Sequence, residues 1–374
     1  MNTPRLLTFI GKCFSTSFWE DDEMIFTWIT ENLVNWRQVV YTASNHFVLP
    51  ALWSTSHANG LIGMMPVDLQ IFIERIRSWN LERNKIIINQ TAELVAVLNQ
   101  VGIEPVILKG VGHLLSGLYV DLADRMVADL DIMVPWASLP CTVRELKKIG
   151  YQYKRKDIDI DWEKAKHDLP LTCPGHPLRV EIHVRPVTKT CKDILPVDEV
   201  WNESELRSMG AGRYRIMSPT HLMLHNMVHS QIEHKSCFMG MIPFRQLYDL
   251  YRMIQKNYDI IDWPHIHGLL LSERFVLPFG LYFDMLGRFF HPRVQLKGER
   301  PLTVRVSWIQ ISLLARFRLL IILRLLLARV FHYCILIVQF HISVQERKRI
   351  VKRLQDPGWI WDHGAALVEI FKTT

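Results

Sequence analysis

The sequence lacks the cysteine patterns that stabilise small secreted domains or bind structural zinc. Its 374 residues include six cysteines, which form no Cys-x-x-Cys pair and follow no regular spacing. The apolar stretch at residues 6–10 is too short for a secretory signal, because it ends at Gly11-Lys12. Neither a disulfide framework nor a zinc ribbon is indicated, and we expect a protein of the reducing cytoplasm.

Long uncharged apolar runs are also lacking before Val330. Residues 308–342 are strongly apolar, but arginines interrupt them at positions 316, 318, 324 and 329. Thirteen Lys or Arg against two acidic residues give residues 293–353 a charge of +11, whereas the whole chain carries +7. Three interpretations of this basic tail stay open: a transmembrane span, a helix that binds an anionic membrane surface or an acidic or nucleic-acid partner, and helices that pack on the rest of the protein.

The remaining composition, with 49% hydrophobic and 22% charged residues, is that of a folded protein. Helical spacing of apolar residues predicts helices over residues 36–52 and 69–100, and helical structure again from about residue 200. The chain divides into four predicted parts: an N-terminal helical region (1–93), a core with strands (94–200), a helical region that packs on the core (201–295) and the basic apolar tail (296–374).

A strand–turn–helix pattern occupies the start of the core. Val106, Ile107 and Leu108 form a short apolar run that stops at Lys109-Gly110, and helical spacing of apolar residues follows. Such a turn points backbone N–H groups and the positive end of the helix dipole at the space before it. The turn therefore predicts an anion site.

Two alternating strands carry acidic residues. In the strand 129–134 a period of two puts Asp129 and Asp131 on one face, and in the strand 178–184 it puts Glu181 and His183 on one face. Neighbouring carboxylates repel each other unless a divalent cation lies between them. If the two strands are adjacent, Glu181 completes a carboxylate triad suited to phosphoryl transfer with metal ions.

Together, Leu108-Lys109-Gly110, Arg125, Asp129-x-Asp131 and Glu181-Ile182-His183 resemble the motifs of a bacterial uncharacterised nucleotidyltransferase family with a Leu-Lys-Gly motif. This family is a branch of the DNA polymerase β-like nucleotidyltransferase superfamily. The resemblance implies an α+β fold, in which a small mixed nucleotidyltransferase-like sheet is flanked by N- and C-terminal helical regions. In the wider superfamily the turn is usually Gly-Gly or Gly-Ser and lies nearer to the Asp pair than Lys109-Gly110 does here.

The resemblance also implies an activity: transfer of a nucleoside monophosphate from an NTP to an acceptor hydroxyl, with Mg²⁺ (or Mn²⁺) as cofactor and release of pyrophosphate. Asp129, Asp131 and Glu181 are then the expected catalytic residues and metal ligands. The expected nucleotide-binding residues are Lys109, Gly110, Arg125 and His183. The acceptor stays open among a small molecule, an RNA and a protein.

Several of these side chains have a second interpretation. Lys109 would contact phosphate or pair with the carboxylates in front of it. Arg125 would bind triphosphate or pair with Asp121 or Asp124. His183 would orient a carboxylate or a water molecule, or it would simply be a satisfied histidine beside an acid.

Other clusters carry weaker indications of chemistry. His221, His225 and His229 recur every four residues on one helix face, but the Glu of a zincin motif is absent, so a metal role is disfavoured. The resembling family has a helix of this type, which implies that His229 or Asp249 adds a polar group to the cleft. Cys173 with His176 fits a hairpin turn, and the charged run 154–166 fits an exposed loop.

Two functions of other classes remain alternatives. The first is a catalytically degenerate protein that binds a nucleotide or a partner without turnover. The second is an accessory protein of the membrane surface, which would be peripheral and would act through the basic tail.

Overall fold

The computed structural model describes residues 3–15, 23–31, 33–153, 160–163, 165–290, 301–316 and 318–342, with 344, 347, 348, 350, 351 and 355. Helices surround one sheet, which confirms the predicted α+β class. The described helices are α1 (Thr3–Cys13), α2 (Glu23–Thr30), α3 (Trp36–Asn45), α4 (Leu49–Ala58), α5 (Val67–Asn99), α6 (Lys109–Leu115), α7 (Leu139–Lys148), α8 (Val197–Glu203), α9 (Pro219–Val228), α10 (Ser236–Met239), α11 (Phe244–Asn257), α12 (Trp263–Leu271), α13 (Val276–Phe289), α14 (Leu302–Arg316) and α15 (Arg318–Ile342).

Within the described residues, seven strands form a mixed sheet in the order β3-β4-β5-β2-β1-β7-β6. The strands are β1 (Val106–Ile107), β2 (Leu130–Met133), β3 (Gln152–Tyr153), β4 (Leu171–Thr172), β5 (Val180–His183), β6 (Glu205–Met209) and β7 (Gly212–Ile216). The central strands β1, β2 and β5 are buried along their whole length. This burial explains why they read as apolar runs around a few acidic positions.

The long helix α5 holds the segments that lead into the central strands. Its Asn84 Nδ2 donates to the carbonyl oxygens of Leu122 and Arg125, at 2.6 and 2.8 Å. Its Gln90 both donates to the carbonyl oxygen of Leu178 at 2.8 Å and accepts from the N–H of Leu178 at 3.2 Å. The helix predicted over 69–100 is thus confirmed, and its buried amides fix the backbone before β2 and β5.

The helix predicted over 36–52 is divided in the structure. Helix α3 ends at Asn45 and α4 begins at Leu49. Between them Phe47 adopts a left-handed conformation with φ of 54°, which no continuous right-handed helix can contain. The spacing of apolar residues did not reveal this break, because α3 and α4 each have a buried face and apolar residues continue across the junction between them.

The helical structure predicted from about residue 200 is wrong for residues 205–216. These residues form the β6–β7 hairpin, which turns at Gly210 with φ of 60°. Strand β7 pairs in parallel with β1 through Val106 and Arg215, so the hairpin extends the central sheet. Its mostly exposed edge strand β6 has few apolar residues, which is why alternation did not reveal it.

In the part of the basic tail that the structure describes, α14 packs on the rest of the protein. Val304 and Ile311 of α14 are buried, and the Trp308 ring contacts the edge of Phe289 at a centroid distance of 5.8 Å. By contrast, α15 exposes many apolar side chains, of which Leu327 is 60% exposed. Among the described helices, none combines the length and the apolar character that crossing a membrane requires.

Candidate functional site

The acidic centre of the site follows from the register of two strands. Strands β2 and β5 are parallel neighbours, and Asp131 lies directly opposite Glu181, while Met133 lies opposite His183. Because adjacent strands are about 4.8 Å apart, paired residues on one face meet side by side. Asp131 is fully buried and Glu181 is 7% exposed. The adjacency predicted for these two strands is confirmed.

Lys109 neutralises part of this acidic charge. Its ammonium donates to Asp131 Oδ1 at 2.5 Å and lies 3.9 Å from Glu181 Oε2. Burial lowers the pKa of Lys109, but the charges of Asp131 and Glu181 outweigh burial and raise it above the ordinary value. Of the two interpretations of Lys109, carboxylate pairing is the contact observed.

The backbone of Lys109 is strained. Its φ of 48° lies in the left-handed region, which costs a non-glycine residue about 1 kcal/mol or more. The turn is also tightly packed, because a Cβ on Gly112 would lie 2.6 Å from the carbonyl oxygen of Ile107. Gly110 is buried against Val127, so a side chain there would crowd the segment before β2. The close packing of α6 on the strands therefore holds the Lys109 side chain toward the acids.

His183 binds the same carboxylate from the other side. Its Nε2 lies 2.8 Å from Asp131 Oδ1. Burial lowers the pKa of His183 to about 3, so the ring is neutral and its Nε2–H donates to the carboxylate. Burial alone would raise the pKa of Asp131, but the His183 hydrogen bond and the Lys109 charge hold it well below the usual range. Asp131 is therefore ionised.

The second carboxylate oxygen of Asp131 has no partner in the described part of the chain. Its Oδ2 is buried and has no hydrogen-bond partner among the described residues. A buried carboxylate oxygen without a donor is costly unless a ligand supplies the missing partner. A divalent cation would supply it.

Asp131, Glu181 and His183 form the one group of potential metal ligands with three or more members in the described part of the chain. Their ligand atoms all lie within 4.8 Å of one another. The two carboxylates offer the oxygen ligands that Mg²⁺ or Mn²⁺ prefers, while the His183 ring, whose Nε2–H donates to Asp131, orients one of them. The group contains Asp131 and Glu181 of the triad expected from the sequence, with His183 in place of Asp129.

Asp129 lies at the edge of this group. Its side chain is 27% exposed, and Arg179 Nη2 lies 3.7 Å from its Oδ2 and 3.3 Å from Glu181 Oε1. Burial, followed by the charge of Asp131, raises the pKa of both Asp129 and Glu181. The three acids therefore repel one another even with Lys109 and Arg179 present, and added positive charge would relieve this repulsion.

Arg125 pairs with a carboxylate that the sequence did not suggest. Its Nε and Nη2 donate to the two oxygens of Asp249, each at 2.8 Å, and both side chains are buried. The alternative pairing of Arg125 with Asp121 or Asp124 is not formed, because Asp121 pairs with Arg77 and Asp124 accepts from Ser54. Burial would raise the pKa of Asp249, but Arg125 and His113 hold it well below the usual range. Arg125 thus joins the segment before β2 to α11.

These groups surround a cavity of about 650 Å³. Of the residues proposed from sequence, Lys109, Gly110, Arg125, Asp129 and Glu181 line it. Asp131 and His183 lie fully buried behind Lys109 and Glu181. His229 and Asp249 line the cavity as expected, whereas His221 does not and lies 3.5 Å from Glu203 instead.

Several lining residues were not identified from the sequence. They include Lys166, His167, Arg179, Glu233, His234, Lys235 and Arg245. Arg179 had a usable signal, since it precedes Glu181 by two residues and therefore shares its strand face. Lys166 was assigned to an exposed charged loop, but it pairs with Glu233, and both side chains are largely buried. Arg245 lies in α11 and Lys235 lies just before α10, both distant in sequence from the acids, and no local pattern connects them to that site.

The fold is α+β, and two parallel strands of its mixed sheet bring carboxylates together beside a cavity. The model of the family described as uncharacterised nucleotidyltransferase matches residues 32–291, more than half of the chain, and the chain belongs to this family. The matched residues include every described strand and every proposed site residue but neither α14 nor α15. No curated protein matches the chain. Family membership supports nucleotidyl transfer as the general role and an NTP as a substrate.

Proposed function

We propose that the protein transfers a nucleoside monophosphate from an NTP to an acceptor hydroxyl in a reaction that depends on Mg²⁺ or Mn²⁺. The observation that carries this proposal is the convergence of Asp131, Glu181 and His183, with ligand atoms within 4.8 Å, beside a cavity lined by Asp129 and Lys109. The acceptor oxygen would bond to the α-phosphorus as the bond to pyrophosphate breaks. Catalysis would consist mainly of positioning and charge neutralisation.

The metal would be held by Asp131 and Glu181, with Asp129 at the cavity edge available for a second ion. When bound, a divalent cation compensates the negative charge of the phosphate oxygens. Asp131 would use its unpartnered Oδ2, while His183 keeps Oδ1 oriented through the 2.8 Å hydrogen bond. Glu181 would also accept the proton of the acceptor hydroxyl and pass it to solvent.

The triphosphate would bind at the Lys109-Gly110 turn. With a divalent cation compensating the charge of the carboxylates, the Lys109 ammonium would leave Asp131 and bind phosphate oxygens instead. Arg125, which Asp249 already binds through both of its oxygens, would position the cavity wall and offer its remaining N–H groups to the nucleotide.

The variant Asp131→Asn tests this assignment, because it keeps the volume of the side chain and removes its charge. With a cell extract to supply the acceptor, we expect Mg²⁺-dependent release of pyrophosphate from the four NTPs to fall by at least about 100-fold. Asp284→Asn is the matched control, since Asp284 is buried but does not line the cavity. Transfer at the wild-type rate by a folded Asp131→Asn protein would refute the proposal, and NTP binding without pyrophosphate release in the wild type would favour the degenerate alternative.

A second function is favoured by one observation on the tail. Leu323, Leu327 and Val330 of α15 are each more than half exposed in a segment with a charge of +11. Apolar side chains beside arginines suit an anionic membrane surface. Co-sedimentation with vesicles containing phosphatidylserine, lost when residues 300–353 are removed, would support peripheral binding, and equal sedimentation of both proteins would exclude it.

A further inference from the structure

The cations that line the cavity fall into two groups. One group has carboxylate partners within 4.0 Å. Its ion pairs are Lys109 with Asp131, Arg125 with Asp249, Lys166 with Glu233, and Arg179 with Asp129 and Glu181. The second group consists of Arg245 and Lys235, for which no described carboxylate lies within 4.0 Å.

Arg245 makes no ion pair and no hydrogen bond with any described residue through its guanidinium. Its Nε is fully enclosed, and the guanidinium lies over the Phe47 ring at 5.2 Å from the centroid. Burial lowers the pKa of Arg245 to about 10, which still leaves it charged at neutral pH. An enclosed Nε without an acceptor is costly, and this guanidinium contacts an aromatic face rather than an ion-pair partner.

Lys235 adds a second cation to the same cavity. It is exposed and makes no ion pair with a described carboxylate. Its φ of 56° is left-handed, so the backbone before α10 is held in an uncommon conformation. The chain thus places a lysine at the cavity by way of a strained turn.

The first turn of α11 adds partial positive charge to the same part of the cavity. Arg245 and Gln246 are the second and third residues of this 14-residue helix, and both line the cavity. The first N–H groups of a helix have no intrahelical acceptor, and the helix dipole places partial positive charge there. Added to the two unpaired cations, this end of α11 makes the surroundings of Arg245 favourable for an anion.

We infer that Arg245, assisted by Lys235, binds a phosphate group of a substrate. The inference rests on the proposed nucleotidyl transfer and deepens it, because this subsite would lie in the same cavity as the acidic centre. The phosphate would belong to the NTP, as its terminal phosphate, or to the acceptor. A guanidinium fits phosphate through two parallel N–H···O contacts, and Phe47 would keep its plane in place.

Inorganic tripolyphosphate in buffer with EDTA is the probe, because it isolates phosphate recognition from metal binding. We expect the wild-type protein to bind it, and Arg245→Gln to weaken the affinity measured by calorimetry by about 10-fold or more. Arg213→Gln is the matched control, since Arg213 is 62% exposed, pairs with Glu104 and does not line the cavity. Equal affinity of wild type and Arg245→Gln would overturn the inference.

The fold of the variant is checked by thermal melting without phosphate. Because the guanidinium makes no protein hydrogen bond, Arg245→Gln should melt no lower than wild type, and tripolyphosphate should raise the melting temperature of the wild type more than that of the variant. If Arg245→Gln does not fold, Lys235→Gln replaces it, and a tripolyphosphate affinity within twofold of wild type would then count against the subsite.

A second measurement separates the two sources of the phosphate. If the subsite holds the terminal phosphate of the NTP, Arg245→Gln weakens binding of the NTPs with Mg²⁺ and leaves binding of the monophosphates unchanged. If it holds the acceptor's phosphate, NTP binding is unchanged, and inorganic phosphate binds to NTP-saturated wild type but not to the variant. Asp131→Asn should still bind tripolyphosphate in EDTA, so loss of the proposed reaction and loss of this subsite are distinguishable.

Discussion

The two sides of the cavity differ in how their charge is balanced. The strand side, formed by Lys109, Asp129, Asp131, Arg179 and Glu181, holds three acids against two bases. On the helix side, Arg125 and Asp249 balance each other, while Arg245 and Lys235 have no carboxylate partner among the described residues. The strand side thus lacks positive charge and the helix side lacks negative charge. A bound cation would supply the positive charge on the strand side, and a bound phosphate would supply the negative charge on the helix side. Substitutions on either side test this difference.

The largest effect is expected from Asp249→Ala on the helix side. It leaves Arg125 buried without its bidentate partner, which should lower the free energy of unfolding by about 3–5 kcal/mol. Denaturation by urea measures the change. The double variant Arg125→Met/Asp249→Leu should recover much of the loss, since it removes both charges. A loss below about 1 kcal/mol for Asp249→Ala would show that the pair is not a structural link.

The next effect concerns Asp124, in the segment between the two sides. Burial raises its pKa to about 6, despite the hydrogen bond from Ser54. A folded-state pKa above the unfolded value means that protonation favours the folded state. This stabilisation is complete below about pH 4 and is lost as the pH rises through 6.

Between these pH values the wild type should therefore lose about 2–3 kcal/mol relative to Asp124→Asn. Urea titrations of both proteins at several pH values give the difference. A difference that does not vary with pH would show that Asp124 has an ordinary pKa. By contrast, Asp249, whose pKa is lowered, should contribute no such change in this range.

A smaller effect should distinguish the acids of the two sides. Glu181→Gln on the strand side should weaken Mn²⁺ binding by about 10- to 100-fold, as measured by paramagnetic resonance. Glu233→Gln is the control, because Glu233 lines the same cavity but pairs with Lys166 and accepts from the N–H of Thr188. An equal loss of Mn²⁺ affinity in both variants would mean that the cation does not bind specifically to the acids of the strand side.

The smallest effect is expected from Asn84→Ala in α5. The two backbone carbonyl oxygens that Asn84 binds before β2 would lose their donor, which should cost about 1–2 kcal/mol of stability. Thermal and urea unfolding measure it. Asn99→Ala serves as comparison, because Asn99 binds backbone far from the site, at Ile103 and Arg213. If Asn84→Ala also lowers Mn²⁺ affinity, the segment 122–127 positions the acidic centre.

Much of the strand side could be predicted because its determinants are local. A period of two places Asp129 with Asp131, and Glu181 with His183, whatever the rest of the chain does. Lys109 also follows from its position between a strand and a helix. The adjacency of β2 and β5 needed only one further assumption, which the parallel register confirms. The four-part division of the chain and the cytoplasmic location stay predictions.

The helix side could not be predicted in the same way. Arg125 and Asp249 are 124 positions apart, and Arg245 meets Phe47 across the fold. The conformation of Lys109, with its positive φ, also depends on how α6 packs against the strands.

By itself, the sequence determined which side chains share a strand face, because alternation is a property of the extended backbone. Only the tertiary structure decided which charges find partners, because ion pairing depends on distances between elements far apart along the chain. The paired Arg125 and the unpaired Arg245 are identical in type. Their difference arises entirely from where α11 packs.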